Sequence, residues 1–306
     1  MNPWRALFGL LVFPGLLYAI PMGWLMLGSE RKLRARLQGR IGPPLSQPFY
    51  DVVKLLAKAP VPRFAADRAL LTALPLLAVG AISGALALLP VFVGGTGFSG
   101  DLILLVGLLE LPPLCLILAG YASRSIFGEV GATREAVIGI AANVPFLAAL
   151  VALATAAGTL KLNGLSGAAP WSVRAPALLA VLLCLPVKLR LNPFSLSNAE
   201  QEILAGPLTE FDGRRLALWE LAHGLEWVAL TGLSVVLALP PVGASAWLDG
   251  IRLAGLSAVL VAPLTLLGAA TGRLKLPQVT RFLWRWPSLA AAAALFIALF
   301  FRPGGP

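Results

Sequence analysis

The chain has 306 residues, 58% of them hydrophobic and only 12% charged, with a mean hydropathy of +0.85 and a formal net charge of +10. An ordinary globular domain carries about 25% charged residues, so a soluble domain is a poor description of this composition. Nucleic-acid binding is argued against as well, because the basic residues sit mainly between apolar runs and no aromatic-and-basic recognition pattern accompanies them.

A helix needs roughly 20 predominantly apolar residues to cross the hydrocarbon core. Eight such runs are predicted, over about 6–28, 70–93, 101–121, 136–157, 174–190, 216–239, 251–271 and 284–301. They lack the period-two alternation of barrel strands. The expected fold is therefore an all-α integral membrane protein of about eight transmembrane helices in a single transmembrane domain, residues 1–306. The first run is too long for a signal peptide, and its basic flank follows rather than precedes it. With these spans, nineteen Lys and Arg residues fall on one side and five on the other. The positive-inside rule places the nineteen in the cytoplasm and both termini outside, as expected of a multi-pass protein of the cell inner membrane.

The first cytoplasmic loop is strongly basic: SERKLRARLQGRIGPP (29–44) carries Arg31, Arg34, Arg36 and Arg40 before the helix-breaking Gly42-Pro43-Pro44. Beyond it Phe49, Val52, Val53 and Leu56 recur at helical spacing, with Asp51, Lys54 and Lys58 among them. That pattern predicts an amphipathic helix at the interface. It suits either an anchor on anionic lipid or a docking platform for a soluble partner, the latter using Arg31, Arg34, Arg36, Arg40, Asp51 and Lys54.

The third run holds Glu110, and Pro112-Pro113 beside it are expected to break the helix. The fourth contains Asn143-Val144-Pro145, whose amide needs a hydrogen-bond partner at that depth. Cys115 and Cys184 are isolated in apolar runs and fit no metal or iron–sulfur spacing; both are expected to pack as small hydrophobes. The stretch Lys188–Trp227 gathers six of the fourteen acidic residues: Glu200, Glu202, Glu210, Asp212, Glu220 and Glu226. Ser197-Asn198-Ala199-Glu200 has the form of a capping box. Glu220, His223 and Glu226 share one face of the sixth run, within an arc of about 120°. A charge at mid-membrane costs about 2.5–3.5 kcal/mol even on lenient scales, so these three are expected to face a hydrated interior or one another. His223 is the only histidine, the side-chain type that exchanges protons near neutral pH. The last two runs are read as free of acidic residues, with Trp284 and Trp286 beside Arg281 and Arg285 as an interfacial belt. No internal repeat is evident, which weighs against an inverted-repeat transporter.

Two stretches carry a family resemblance. ERKLRARLQGRIGPPLSQPFYDVVKLLAK (30–58) resembles the loop after the first helix of subunit 1 of respiratory complex I and its hydrogenase relatives. NPFSLSNAEQEILAGPLTEFDGRRLAL (192–218) resembles the same family's PFD…AE…E…TEYSG segment. QGRIGPPLSQPFYD, GATREA and AGPLTEF look more like the membrane-bound [NiFe] hydrogenase and formate hydrogenlyase branch.

The resemblance implies a membrane anchor and proton-coupling subunit, between soluble hydrogenase-like large and small subunits and antiporter-like membrane subunits. It implies no cofactor on this chain; iron–sulfur clusters and a [NiFe] centre would belong to partners. Glu200, Glu202 and Glu210 match positions of the family's acidic loop, and Glu110, Glu220, His223 and Glu226 are the candidates to continue a proton route inward. Two departures stand out: Asn143 replaces the family's usual Glu before Pro, and Ser195 replaces the Asp of PFD. A quinone-reducing complex and a non-pumping scaffold remain as alternatives.

Overall fold

Residues Gly213–Ala238 explain the architecture. After Glu226 this stretch has no further charge, and it is the one long helix without an internal proline among the described residues. Such a sequence makes a straight, apolar rod that every neighbour can pack against. The computed structural model describes residues 15–59, 68–90, 98–197, 206–239 and 246–300. In chain order they form α1 (Leu16–Leu37), α2 (Gln47–Ala57), α3 (Arg68–Leu88), α4 (Asp101–Ala122), α5 (Ile126–Ala157), α6 (Leu162–Ala168), α7 (Trp171–Lys188), α8 (Gly213–Ala238), α9 (Ala246–Ala270) and α10 (Leu276–Phe300).

Seven of these, α3, α4, α5, α7, α8, α9 and α10, are long and apolar enough to cross a membrane. The expected span over 6–28 lies partly outside the described residues. α8 packs against α1, α2, α3, α7 and α9, and its apolar window is 83% buried within the protein, against 28% for α10. The main core runs along this axis, with Trp227, Leu225 and Leu233 of α8 sealed against Leu86, Leu105, Leu150 and Val181. A second cluster joins α3 and α4 to Phe211 and Trp219, and a third joins α5 and α10 to Phe194 and Leu196.

Close helix approach depends on missing side chains. A Cβ on Gly23 of α1 would lie 2.5 Å from the carbonyl oxygen of Gly224 in α8. A Cβ on Gly131 of α5 would meet Pro207 in the 3-10 turn Gly206–Leu208. Small residues let membrane helices approach to backbone contact, where dispersion and polar contacts replace the hydrophobic drive available in water.

Four expectations are corrected. Pro112 and Pro113 do not break the third span; α4 runs through both, as membrane helices tolerate proline where neighbouring groups satisfy the freed backbone. α5 begins at Ile126 rather than at about 136, because Glu129, Arg134 and Glu135 hide its first turns from hydropathy. Lys188 and Arg190, counted among cytoplasmic loop cations, have side chains only 10% and 12% exposed. Asp249 falls inside α9, in its first turn and buried, so that helix is not free of acid.

The Gly23 contact predicts that Gly23→Ala destabilises the protein by about 1–3 kcal/mol, the usual range for overpacking. Gly80→Ala is the control, since a Cβ there meets nothing within 4 Å. Melting of the two detergent-solubilised variants by near-UV dichroism should show a fall for the first and no fall for the second.

Candidate functional site

The charged interior is built where the end of α7 meets α4, α5 and α8. Leu185 to Leu191 closes α7 with a backbone turn in which Arg190 takes a positive φ of 54°. This conformation is uncommon for a residue with a side chain, and it turns the Arg190 guanidinium inward. The Arg190 guanidinium bonds to Glu226 of α8 and lies 3.6 Å from Glu135 of α5. His223 sits one turn from Glu226, with its Nδ1 3.4 Å from that carboxylate and 3.2 Å from Arg190. Trp227 Nε1 donates to His223 Nε2 at 3.4 Å. Burial disfavours charge on Arg190, but Glu226 and Glu135 outweigh it and hold the guanidinium firmly protonated.

A second cluster joins α4, α5 and α7. Lys188 Nζ donates to Glu110 Oε1 at 2.6 Å and to Asn143 Oδ1 at 2.7 Å, while Asn143 Nδ2 donates to Glu110 Oε2 at 2.7 Å. Three helices thus supply one ion pair and one amide bridge. The Lys188 ammonium also stands 4.5 Å over the Phe146 ring, a placement favoured by the ring's quadrupole.

The third group is nearer the surface. Glu220 of α8 lies 3.9 Å from Arg31 of α1, which donates to Asp51 of α2 at 2.8 Å. Partial burial works against charge on Asp51. Hydrogen bonds from Gln47 and Arg31, with the charges of Arg31 and Lys54, outweigh it and hold the carboxyl below the ordinary aspartate value. One turn before Arg34, Glu30 is buried and pairs with it.

The structure therefore joins His223 and Glu226 to Arg190 and Glu135, pairs Glu110 with Lys188, and sets Glu220 near Arg31; Arg190, Lys188 and Glu135 are the members that hydropathy conceals. Glu210 lies in the turn between the 3-10 helix and α8, with an interaction of its own. Glu200 and Glu202 lie outside the described residues. Of the docking candidates, Arg36, Arg40 and Lys54 are exposed, whereas Arg31, Arg34 and Asp51 are engaged in internal ion pairs. Ser195 sits in a turn whose neighbours Phe194 and Leu196 are buried against α10, so this part of the loop is interior. Among the described residues no His, Cys, Asp and Glu cluster could hold a metal, and Cys115 and Cys184 are buried free thiols. The concealed cations leave one signal in the sequence: KLRLNPF alternates charge and apolar residues instead of turning polar.

A polytopic helical bundle whose interior carries paired charges, with ligands from α1, α4, α5, α7 and α8, defines a multi-pass membrane protein built around buried ionisable groups. Its family is shown by comparison: the NADH dehydrogenase family model matches residues 10–299, and the chain belongs to that family. It is 33% identical over 71% of its length to hydrogenase-4 component C of Escherichia coli, covering 70% of that protein. It is 29% identical over 71% of its length to formate hydrogenlyase subunit 4 of the same organism, covering 73%. To a subunit of the NADH-quinone oxidoreductase of Geobacillus kaustophilus it is 29% identical, covering 88% of this chain and 87% of that one. A chain in the solved membrane-bound sulfane sulfur reductase, an archaeal respiratory membrane complex, superposes with a TM-score of 0.85 at 27% identity. That match covers 96% of this chain and 98% of the other.

Breaking a buried ion pair costs about 3–5 kcal/mol, because one charge is left unpaired. Lys188→Met is expected to destabilise toward or below the lower end of that range, since Glu110 keeps a quarter of its side-chain surface. Adding Glu110→Gln should recover most of the loss. A thermal double-mutant cycle on the purified protein measures the coupling, and additive losses would mean that the pair does not act as a unit.

Proposed function

We propose that this chain is the membrane-anchor and proton-coupling subunit of a multisubunit redox complex, linking a soluble hydrogenase-like electron-transfer arm to ion-pumping membrane subunits. The observation that carries the reading is the series of ion pairs from the partly exposed Asp51–Arg31–Glu220 to the enclosed Glu226–Arg190–Glu135 and Glu110–Lys188–Asn143 groups within the bundle. Ion pairs in apolar surroundings are costly and mark ion or proton pathways in membrane proteins. The names of the relatives support the division of labour. Hydrogenase-4, formate hydrogenlyase, NADH-quinone oxidoreductase and sulfane sulfur reductase name different electron chemistries around one fold. The chemistry that differs then belongs to the partners, and their iron–sulfur clusters and [NiFe] centre would lie outside this chain.

In this reading the complex sits in the cell inner membrane with the basic loop inside. Arg36 and Arg40 face the soluble arm. Redox change in that arm shifts the segment carrying Glu200, Glu202 and Glu210. The 3-10 turn Gly206–Leu208 presses directly on α5 at Gly131, so the displacement reaches Glu135. Moving Glu135 relative to Arg190 alters how strongly Glu226 and His223 hold a proton. Asn143 takes no part as a carboxylate; Lys188 and Glu110 form the next ionisable pair. The second reading, a quinone-site subunit, is favoured by the length of the match to an NADH-quinone oxidoreductase subunit.

Glu226→Gln in the intact complex, reconstituted in vesicles, should abolish redox-driven acidification while electron transfer and assembly persist. Glu210→Gln is expected to act in the same direction. Undiminished proton movement in Glu226→Gln would reject the coupling role. Electron transfer without any pH change in the unmodified complex would favour a scaffold, and quinone-dependent turnover would favour the second reading.

A further inference from the structure

The three sides of α2 have three different chemistries. At 100° per residue, Pro48 and Val52 point into the protein, with Asp51 flanking them toward Arg31. About a third of a turn away, Phe49, Tyr50, Val53 and Leu56 form an apolar sector that is 40%, 59%, 46% and 46% exposed. Lys54 follows at the edge of that sector, and Lys58 is the exposed residue that ends the helix.

Contacts fix the level of this helix. The Phe49 ring meets Trp24 of α1 edge-on at 5.1 Å, within the stretch whose sequence predicts a membrane span. Gly28, one turn later in α1, admits the backbone of Leu45 just before α2. At the other end Arg214, at the start of α8, donates from Nε to the Leu56 carbonyl at 3.3 Å. The apolar sector therefore lies level with the last turn of the span that the sequence predicts for α1, with Lys54, Lys58 and Arg214 at the same end of the protein. A helix with an apolar face and basic edges belongs in the plane between headgroups and acyl chains.

We propose that α2 and the start of α8 form a binding site for an anionic phospholipid, with acyl chains against Phe49, Tyr50, Val53 and Leu56 and the phosphate held by Lys54, Lys58 and Arg214. Charge complementarity selects the lipid over a zwitterionic one. The match of apolar face and depth selects a lipid over a soluble acidic segment, which would leave four large side chains in water. Lys54 then serves the membrane, and docking of a soluble partner falls to Arg36 and Arg40. The site does not depend on the redox reading.

The test uses the purified protein in detergent, partly delipidated, with phosphatidylglycerol and phosphatidylcholine as probes and native mass spectrometry as readout. Retention of phosphatidylglycerol over phosphatidylcholine is expected. It should fall about fivefold for each cation removed in Lys54→Gln and Lys58→Gln, the worth of one basic residue near an anionic surface. Equal retention of the two lipids, or no change in the variants, would overturn the proposal. An independent measurement covers poorly behaved variants. A spin label at Val53→Cys in nanodiscs should be relaxed by oxygen more than by a polar nickel complex, and at Lys54→Cys the order should reverse; the native cysteines are buried. Protection of both positions from both reagents in the intact complex would assign the sector to a protein partner instead.

Discussion

Arg190 is the constraint on which the interior depends. Two carboxylates, Glu226 and Glu135, come from α8 and α5, which both pack on α7, and both are nearly sealed from water. Without the guanidinium they would repel each other across a medium that screens poorly. With it, α5, α7 and α8 are joined by directional contacts, which lipid-facing apolar packing does not supply. The positive φ at Arg190 follows from this: the chain accepts an uncommon backbone conformation so that the side chain can turn inward. Lys188, two residues earlier, uses the same descent from α7 to reach Glu110 and Asn143.

The amino-acid sequence discloses the fold class because apolar runs of bilayer length have few other uses. It also discloses the shared face of Glu220, His223 and Glu226, since a helix of known pitch fixes which positions align. It hides what those residues meet. Lys188, Arg190 and Glu135 border apolar runs, and hydropathy reads any charge at such a border as solvated. Only the tertiary arrangement distinguishes a cation beside the headgroups from one folded back under the next helix. The prolines at 112 and 113 mislead for a related reason: a helix in lipid cannot leave backbone groups unpaired, so the local preference to break yields to the surroundings. Asp249 escapes a hydropathy reading because α9 begins several residues before its apolar run.

Asn143 illustrates how an amide serves between two charged groups. The amide bridges Glu110 and Lys188 through both of its polar atoms. A carboxylate there would accept from Lys188 but could not donate to an ionised Glu110, and two acids would crowd one ammonium. The amide instead leaves one negative and one positive charge, each hydrogen-bonded. The arrangement is local to three helices, α4, α5 and α7.

α5 contributes to both inner clusters, through Glu135 to one and Asn143 to the other. These residues are eight positions apart, about 12 Å along a helix rising 1.5 Å per residue. A helix of this length is stiff on that scale, so the two contacts behave like cams on a common shaft. A turn or slide of α5 cannot loosen one cluster while leaving the other untouched. In the coupling role proposed above, a displacement of α5 would therefore reach both depths together.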